Sequence, residues 1–354
     1  MIIAFGYIVF CIGLFTLYLF GKKKATQKSN NLIGEKYQSE CISVIIPFRN
    51  EENNLPELIK SIQQLSKQPL EFIWVNDHSK DESISILETT LLHQNHSIIH
   101  LPNELTGKKN ALSYGISKAK GAYILTWDAD ITIPSNFFLQ LETYPVNALT
   151  ILPVKMKQAN YKTAFFANDF QFLNQVNYAV FGLNRPILAN GANLIFNKSV
   201  FNQIKPYQNN LNIASGDDQF LLKQFRDNKQ SISYLRDNTL TTITKTPTTI
   251  KQCIIQRIRW ASKTQKVNDR LANGIGLVGL FYHLTPVFLL IISFNSFLIG
   301  IAIKSILDFL IIDSKFNLKN VLKSILFSSM YPFYMFSLGF ANLFTKVEWK
   351  DRVV

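Results

Sequence analysis

Cysteine is scarce in this sequence, and the positions of the few cysteines argue against a domain stabilised by disulfides or by zinc. Only Cys11, Cys41 and Cys253 occur among 354 residues, and no two of them form a Cys-x-x-Cys pair. Because the three lie far apart and Cys11 falls within an apolar run, neither a disulfide framework nor a zinc site is predicted. A reducing, cytosolic setting fits this usage.

The sequence is also short of acidic residues: 24 Asp and Glu stand against 37 Lys and Arg, a formal net charge of +13. No helix-turn-helix, zinc-finger spacing or RNP-type aromatic pattern accompanies this charge, so we predict no nucleic-acid partner. A group of lysines directly follows an apolar run: Lys22, Lys23, Lys24 and Lys28. That position favours contact with lipid headgroups.

Charged residues are absent from the first apolar run, Ile2 to Phe20. Its length matches the roughly 20 residues that a helix needs to cross hydrocarbon, so residues 1–22 are predicted to form a transmembrane helix. A cleaved signal peptide is the alternative, but no basic segment precedes the run and no small-x-small site follows it. The lysines after the run predict an inner or plasma membrane protein with Met1 outside and the next domain in the cytoplasm.

Two further apolar stretches, residues 274–303 and 321–344, predict a C-terminal transmembrane region over residues 274–345 with two or three helices. The segment 304–320 mixes charged and apolar residues, and it is compatible with a loop, a re-entrant piece or part of a third span. Residues 346–354 form a basic tail that is expected in the cytoplasm.

Between these regions, residues 38–265 alternate short apolar strands with amphipathic helices, which predicts an α/β domain with a largely parallel sheet. The predicted strands are 44–47, 72–75, 98–101 and 123–127, and the predicted helices are 53–65, 82–92 and 109–118. Ligands of such folds bind at the carboxyl ends of the strands. Polar clusters fall at three of these ends: 49–51, 77–79 and 128–130.

Asp128 and Asp130 stand two residues apart at the end of the fourth predicted strand. Alternate residues of a strand share one side, and their carboxylate oxygens suit Mg or Mn. Taken alone, such a pair is more often a solvated turn. Its meaning therefore depends on the motifs around it.

Three motifs lie along the same region: residues 44–52 (VIIPFRNEE), 74–81 (WVNDHSKD) and 107–112 (GKKNAL). They resemble, in order and approximate spacing, glycosyltransferase family 2, and the resemblance extends over nearly the whole chain. It implies a GT-A type catalytic domain in which Asp130 and Asp128 hold a Mg or Mn ion. It also implies a set of residues that bind the nucleotide sugar: Pro47, Arg49, Glu51, Asp77, Lys108, Asp128 and Gly191.

Within that set, the resemblance implies that Asp77 contacts the nucleotide base and that Lys108 faces the diphosphate. The second role agrees with physical expectation, because a helix N-terminus beside a lysine attracts anions. Gly191 lies in residues 190–193 (NGAN), which resemble the loop that shapes the family's acceptor and donor-sugar pocket. A glycine permits close approach of a substrate there, although an ordinary turn is an equal alternative.

Residues 216–218 (GDD) stand where the family has the acidic motif that supplies its general base. The resemblance implies that Asp218 is this base. Asp217 occupies a position where glutamate is usual, and this departure leaves open which of the two carboxylates accepts the proton.

Residues 256–260 (QRIRW) match the Q-[QR]-x-R-W signature of the membrane-integrated branch of the family. On a helix Gln256, Arg259 and Trp260 share one face, so Trp260 can form the floor of the acceptor site while Arg259 meets the diphosphate. A basic amphipathic helix lying on the membrane is an alternative compatible with the first. Its candidate cations are Lys251, Arg257, Lys263 and Lys266.

The resemblance thus implies a membrane-bound, inverting glycosyltransferase that uses a nucleotide sugar, with a UDP sugar expected, and a lipid or glycan acceptor of the cell envelope. Asp218 would deprotonate the acceptor, and Arg259 with Lys108 would stabilise the departing diphosphate. Residues 348–352 (EWKDR) resemble the C-terminal tail of the same branch, with Asp351 in place of glycine. A processive polysaccharide synthase is the alternative, and an inactive assembly subunit or a membrane-surface binding module are alternatives of other classes.

Overall fold

The computed structural model describes residues 2–90, 95–158, 163–183, 185–211, 213, 216–312, 316–344, 348–349 and 352–353. The chain divides into two compact units. The first, here called the helical unit, comprises Met1–Gln27, Gln158–Ile187 and Thr246–Val347. The second, here called the sheet unit, comprises Lys28–Lys157, Leu188–Lys245 and Glu348–Val354.

The sheet unit is built on a mixed sheet whose strands are mostly parallel. In the described residues its strands are β1 (Ile42–Phe48), β2 (Glu71–Asn76), β3 (His96–His100), β4 (Tyr123–Thr126), β6 (Leu149–Ile151), β8 (Leu194–Asn197) and β9 (Ile232–Tyr234). Their order across the sheet is β3-β2-β1-β4-β8-β6-β9, and β8 runs antiparallel to both neighbours. The predicted largely parallel α/β fold is therefore confirmed.

The shorter strands of the sheet unit pair away from this sheet. Their bounds are β5 (Ile131–Thr132), β7 (Val154–Lys157), β10 (Thr242–Lys245), β11 (Glu348–Trp349) and β12 (Arg352–Val353). β10 lies between β5 and β7, and β11 pairs with β12. This second sheet places β10 next to the chain that directly follows Asp130.

The central strand β1 is a run of apolar residues with Val44, Ile45 and Ile46 fully buried. Such continuous burial is expected of a parallel strand that is covered on both faces. Helices pack around the sheet: α2 (Leu55–Gln63), α3 (Ser83–Thr90), α4 (Lys108–Lys118), α5 (Phe137–Leu141), α7 (Lys198–Ile204) and α8 (Asp217–Asp227). In α2, Leu55, Leu58 and Ile62 recur at helical spacing and are buried, so one face of the helix meets the core.

The helical unit contains the long helices α1 (Ile2–Asn30), α6 (Ala164–Leu183), α9 (Ile250–Val267), α10 (Arg270–Ile292), α11 (Phe294–Ile312) and α12 (Leu318–Phe344). By length and composition, three described segments are able to cross a membrane: Ile3–Asn30, Arg270–Ile292 and Phe294–Ile312. Large side chains on these helices are exposed, as at Phe5 (67%) and Ile291 (81%). Such faces suit contact with lipid rather than with water.

The apolar stretch 274–303 forms parts of two helices rather than one. Ser293 adopts an extended conformation (φ −168, ψ 134), which ends α10 and allows α11 to begin at Phe294. The charged segment after Ile303 continues α11 as far as Ile312. Residues 321–344 lie in α12, which is not one of the three candidate spans, so their predicted crossing stays a prediction, as do the predicted domain bounds.

Two glycines let α1 and α6 approach closely. A Cβ atom added to Gly21 would collide with the backbone carbonyl of Ala179, and one added to Gly182 would collide with the carbonyl of Gly21. Small residues at helix crossings allow this backbone contact within membrane proteins.

Candidate active site

Polar residues gather at the carboxyl ends of β1, β2 and β4, as the sequence predicts. Arg49, which follows β1, donates from Nη1 to the carbonyl oxygens of Asp77 (2.9 Å) and His78 (3.2 Å). Glu51 accepts a hydrogen bond from Asn54 Nδ2 at 2.7 Å, and Pro47 is the half-buried penultimate residue of β1. The two turns are thus fastened together at the edge where ligands of this fold class bind.

Asp77 is buried at the end of β2 and holds the start of α4. Its two carboxylate oxygens accept from the backbone N–H of Gly107 at 3.2 and 3.1 Å. Gly107 has φ +94, a conformation that glycine adopts without steric cost. The predicted contact of Asp77 with a nucleotide base stays a prediction.

Lys108 lies at the centre of the site, in the first turn of α4. Its ammonium is 2.6 Å from Asp128 Oδ1 and 3.1 Å from Asp217 Oδ2. Burial acts to lower the pKa of Lys108, but the neighbouring charges of Asp128 and Asp217 outweigh it and hold this pKa above its usual range. One permanent cation therefore joins the strand-end aspartate to the aspartate that begins α8.

Asp130 is the second carboxylate of the Asp128–Asp130 pair, and it receives a hydrogen bond from Thr244 Oγ1 at 3.3 Å. Loss of solvation, and after it the charges of Asp128 and Glu51, raises the pKa of Asp130 to about 6. Three carboxylates therefore influence one another here. A cation bound among them would relieve the repulsion.

Gly191 lies against Lys108 and Asp217, because the loop 190–193 is fastened to β4. Thr126 Oγ1 donates to the carbonyl of Gly191 at 3.0 Å. A Cβ atom at position 191 would stand 2.8 Å from Asp217 Oδ2 and 3.1 Å from Lys108 Nζ. The glycine thus leaves room beside the charged groups, as the sequence predicts.

Asp217 and Asp218 are both buried in the first turn of α8, after Gly216 with φ +87. Asp217 contacts Lys108, whereas Asp218 Oδ1 accepts from the backbone N–H of Gln219 at 2.8 Å. Burial, followed by the charges of the two aspartates, holds the pKa of Tyr207 well above its usual range. This tyrosine therefore remains a neutral hydroxyl beside the pair.

Lys109 has a role that the sequence motif did not indicate. It is 3% exposed, and its ammonium donates to the backbone carbonyls of Asn210 (2.8 Å) and Ile213 (2.9 Å). These residues lie in the segment that leads to Asp217. The sequence signal that could have pointed to this contact is the second lysine directly after the motif lysine.

The QRIRW residues belong to the helical unit, where α9 carries them. Gln256, Arg259 and Trp260 are half-buried, in agreement with a shared helix face, whereas Arg257 is 4% exposed. Arg257 Nε donates to Asp169 Oδ2 in α6 at 2.7 Å. Of the cations that a membrane-surface helix would present, Lys251 and Lys266 are exposed, Lys263 lies outside the described side chains, and Arg257 does not qualify.

Within the sheet unit, the structure brings together the predicted residues Lys108, Asp128, Asp130, Gly191 and Asp217, with Asp218 adjoining. This arrangement places a lysine at a helix N-terminus, a position that attracts anions, with carboxylates beside it. Residues 43–144 match the family model described as glycosyl transferase family 2. This part of the chain is therefore similar to glycosyl transferase family 2.

Curated relatives share part of their sequence with this chain. The undecaprenyl-phosphate 4-deoxy-4-formamido-L-arabinose transferase of Proteus mirabilis is 40% identical over 98 residues, which are 26% of this chain and 30% of that protein. The transferase of the same name from Pectobacterium carotovorum is 34% identical over 116 residues, 31% of this chain and 35% of that protein. The matched part thus spans about a third of the length of these relatives.

Among solved structures, a mannosyltransferase of Pyrobaculum calidifontis in complex with GDP-Man and Mn2+ aligns with 96% of this chain and 99% of its own. The TM-score is 0.57 and the sequence identity is 14%. This likeness confirms the GT-A type fold that the resemblance implied.

Proposed function

We propose that the chain is a membrane-bound glycosyltransferase that moves a sugar from a nucleotide sugar to a lipid acceptor, with inversion at the anomeric carbon. The observation that carries this proposal is the contact of Lys108 with both Asp128 and Asp217. Through this contact Lys108, a cation suited to bind a diphosphate, connects Asp128 at the end of β4 with Asp217 in the acidic pair that begins α8. Those are the groups that the transfer of a sugar from a diphosphate requires.

The residues fit a divalent cation of the Mg or Mn type. Asp128 and Asp130 supply carboxylate oxygens, and burial, followed by the charges of Asp128 and Glu51, raises the pKa of Asp130. Among the described residues no group of three or more His, Cys, Asp or Glu is arranged to hold a metal. Two protein carboxylates agree with the common mode in which the diphosphate of the substrate completes the coordination. When bound, the cation would neutralise charge on the leaving diphosphate.

The roles of the protein groups follow from their contacts. Asp217 Oδ2 lies 3.1 Å from the ammonium of Lys108, and Asp218 follows it in the first turn of α8. We assign deprotonation of the acceptor hydroxyl to Asp218, the carboxylate that the family resemblance implies as the general base. Lys108 stabilises the diphosphate as it leaves, and Arg49, Asp77 and Gly107 hold the turns that surround the nucleotide.

The lipid acceptor is proposed on two grounds. The helical unit has three helices able to cross a membrane, and the curated relatives are named undecaprenyl-phosphate 4-deoxy-4-formamido-L-arabinose transferases. Trp260, on α9, is proposed as the floor of the acceptor site, with Gln256 and Arg259 on the same helix. α9 is followed directly by the candidate span α10, so a helix there stays near the bilayer surface.

The experiment uses the full chain in nanodiscs with Mn and a panel of nucleotide sugars, among which we expect a UDP sugar to serve as donor. With undecaprenyl phosphate or a membrane lipid extract, radiolabelled sugar should become extractable into organic solvent as a short glycolipid. A long water-soluble polymer would establish the processive synthase instead. Release of no nucleoside diphosphate from any donor would contradict the enzyme itself and favour an inactive assembly subunit.

The sheet unit is proposed to face the cytoplasm, because Lys22, Lys23 and Lys24 resist transfer across the membrane. A Lys80→Cys variant in a Cys41→Ser background tests this orientation, since Lys80 is exposed and Cys41 is the one native cysteine that is not buried. A membrane-impermeant maleimide should label inside-out vesicles and leave sealed right-side-out vesicles unlabelled. Labelling of the right-side-out vesicles would reverse the assigned topology.

A further inference from the structure

Arg257, the second residue of the QRIRW motif, has its hydrogen-bonding capacity directed into the protein. In addition to the bond to Asp169, Nη2 donates to the carbonyl of Phe166 at 2.6 Å and Nη1 donates to Gln256 Oε1 at 3.3 Å. The Arg257 and Asp169 side chains are 4% and 2% exposed. A guanidinium enclosed in this way is not available to a diphosphate, so Arg257 acts on the residues that surround it.

The same guanidinium lies against the indole of Trp260. Its central carbon is 4.2 Å from the centre of the Trp260 ring, and Phe170 packs on that ring with a centroid separation of 5.8 Å. A cation over an indole face is attracted by the ring quadrupole, most strongly where water is excluded. Trp260 is therefore held by Arg257 from α9 and by Phe170 from α6.

Asp169 also links this group to α12. Tyr331 Oη donates to Asp169 Oδ1 at 2.7 Å, so the two carboxylate oxygens hold one residue each from α9 and α12. The ring of Tyr331 stacks on that of His283 in α10, with 3.8 Å between centroids. Helices α6, α9 and α12 thus meet at the buried carboxylate of Asp169.

We propose that Asp169 and Arg257 are positioning residues that fix the indole of Trp260, and that Tyr331 aligns Asp169 for this task. The residues of the motif then have two different roles. Arg257 points into the protein and fixes the orientation of the Trp260 ring, while Gln256 and Trp260 lie on the half-buried face of α9. Only the kinetic readout of this inference rests on the proposed function, because the geometry of Trp260 can be observed without turnover.

The first variant is Asp169→Asn, which keeps the size of the side chain and removes its charge. We expect the KM for the lipid acceptor to rise about tenfold, the range that loss of an aligned cation–π contact supports. Hydrolysis of the donor without acceptor should remain within about twofold, because no donor-binding group is changed. Arg257→Lys should behave in the same way, since an ammonium does not reproduce the planar fork.

Tyr331→Phe and Tyr178→Phe form a matched pair in the same unit. Both tyrosines are buried, but the hydroxyl of Tyr178 donates to Thr26 Oγ1 (3.4 Å), whereas that of Tyr331 donates to Asp169 Oδ1. Tyr331→Phe should raise the acceptor KM about threefold, as expected for one lost hydrogen bond, and Tyr178→Phe should leave it unchanged. Equal effects of the two variants would overturn the role of Tyr331.

A double variant separates positioning from mere stability. Asp169→Asn with Arg257→Gln replaces the ion pair by a neutral pair, so the melting temperature should recover relative to the single variants. The acceptor KM should stay raised, because no cation remains over Trp260. Recovery of both quantities would overturn the proposal.

The fluorescence of Trp260 gives a readout that needs no activity. Its emission is obtained as the difference between the spectra of each protein and of the same protein with Trp260→Phe. In Asp169→Asn this component should shift to longer wavelength and become more accessible to iodide, and in Tyr178→Phe it should not. An unchanged Trp260 component in Asp169→Asn would contradict the inference even if the chain proved to have no transferase activity.

Discussion

Lys108 and Asp128 in the sheet unit, and Lys304 and Asp308 in the helical unit, are both lysine–aspartate pairs, but they differ in their access to solvent. The side chains of the first pair are 23% and 32% exposed, and those of the second are 0% exposed. Asp308 also accepts from the hydroxyls of Tyr282 (2.8 Å) and Ser328. The pair in the helical unit is therefore enclosed and satisfied within the protein.

The first pair is accessible to a ligand, whereas the second pair holds helices together. In the sheet unit, Asp128 and Asp130 share a partly open site whose electrostatics favour an added cation. Lys304 and Asp308 both lie on α11, where Lys304 donates to Asp308. Asp308 also accepts from Tyr282 of α10 and Ser328 of α12, and these bonds specify how the three helices pack. Ionisable groups inside membrane helices persist where such partners are supplied.

The largest expected effect is the loss of transfer in Asp218→Asn. Removal of a general base lowers rates by roughly 10²- to 10⁴-fold, while donor affinity should change little because the base acts on the acceptor. Single-turnover assays and calorimetric titration of the nucleoside diphosphate measure the two quantities. Asp227→Asn, at the other end of α8, is the control. If Asp217→Asn abolishes transfer and Asp218→Asn does not, the two assignments must be exchanged.

Breaking the enclosed pair should reduce stability rather than donor use. Lys304→Met leaves a buried carboxylate without its cation, which costs about 3–5 kcal/mol in comparable cases. The double variant Lys304→Met with Asp308→Asn should return most of this stability, since the amide oxygen still accepts from Tyr282 while the amide nitrogen donates to the hydroxyl oxygen of Ser328, which is able to accept. Thermal unfolding in detergent measures both. A double variant that is as unstable as Lys304→Met would show that the ion pair itself, and not only the neutralisation of a buried carboxylate, stabilises the helices.

Asp130→Asn should abolish metal-dependent activity and yet stabilise the fold. Because the pKa of Asp130 is raised to about 6, its ionisation opposes folding: the stability it contributes is largest when it is protonated and falls as pH rises from its ordinary value through about 6. At pH 7 the neutral amide should add about 1–2 kcal/mol, less than the full shift would give because the site is partly open to solvent. Unfolding curves between pH 4 and pH 8 of both proteins should converge at low pH, and a constant difference would contradict the assigned cause.

The core of the sheet unit was predictable because local pattern and burial agree. Val44 to Ile46 form a continuous apolar run, and Gly107 precedes a helix whose first residue is Lys108, so the strand and the helix start follow from neighbours in sequence. The position of Asp128 at the edge where ligands bind also follows, because it comes directly after a predicted strand. Asp217 begins α8 and follows no predicted strand, so its contact with Lys108 does not follow from the strand pattern.

The helical unit was less predictable because its determinants lie far apart in sequence. Arg257 finds Asp169 across 88 positions, and no local signal distinguishes this buried arginine from the exposed cations on the same helix. The break at Ser293 falls within the largely apolar stretch 274–303, which was not divided at its polar residues Ser293, Asn295 and Ser296. Tertiary packing decides both features, and a sequence pattern reports only on local preference.

The most direct test of the central claim is metal-dependent turnover by the sheet-unit site. The full chain and its Asp130→Asn variant are incubated with the donor identified from the panel, with Mn or with EDTA, and release of the nucleoside diphosphate is measured. We predict release by the unchanged protein with Mn, none with EDTA and none by Asp130→Asn. Release that survives both EDTA and Asp130→Asn would contradict the assignment of Asp128 and Asp130 as the residues that hold the cation.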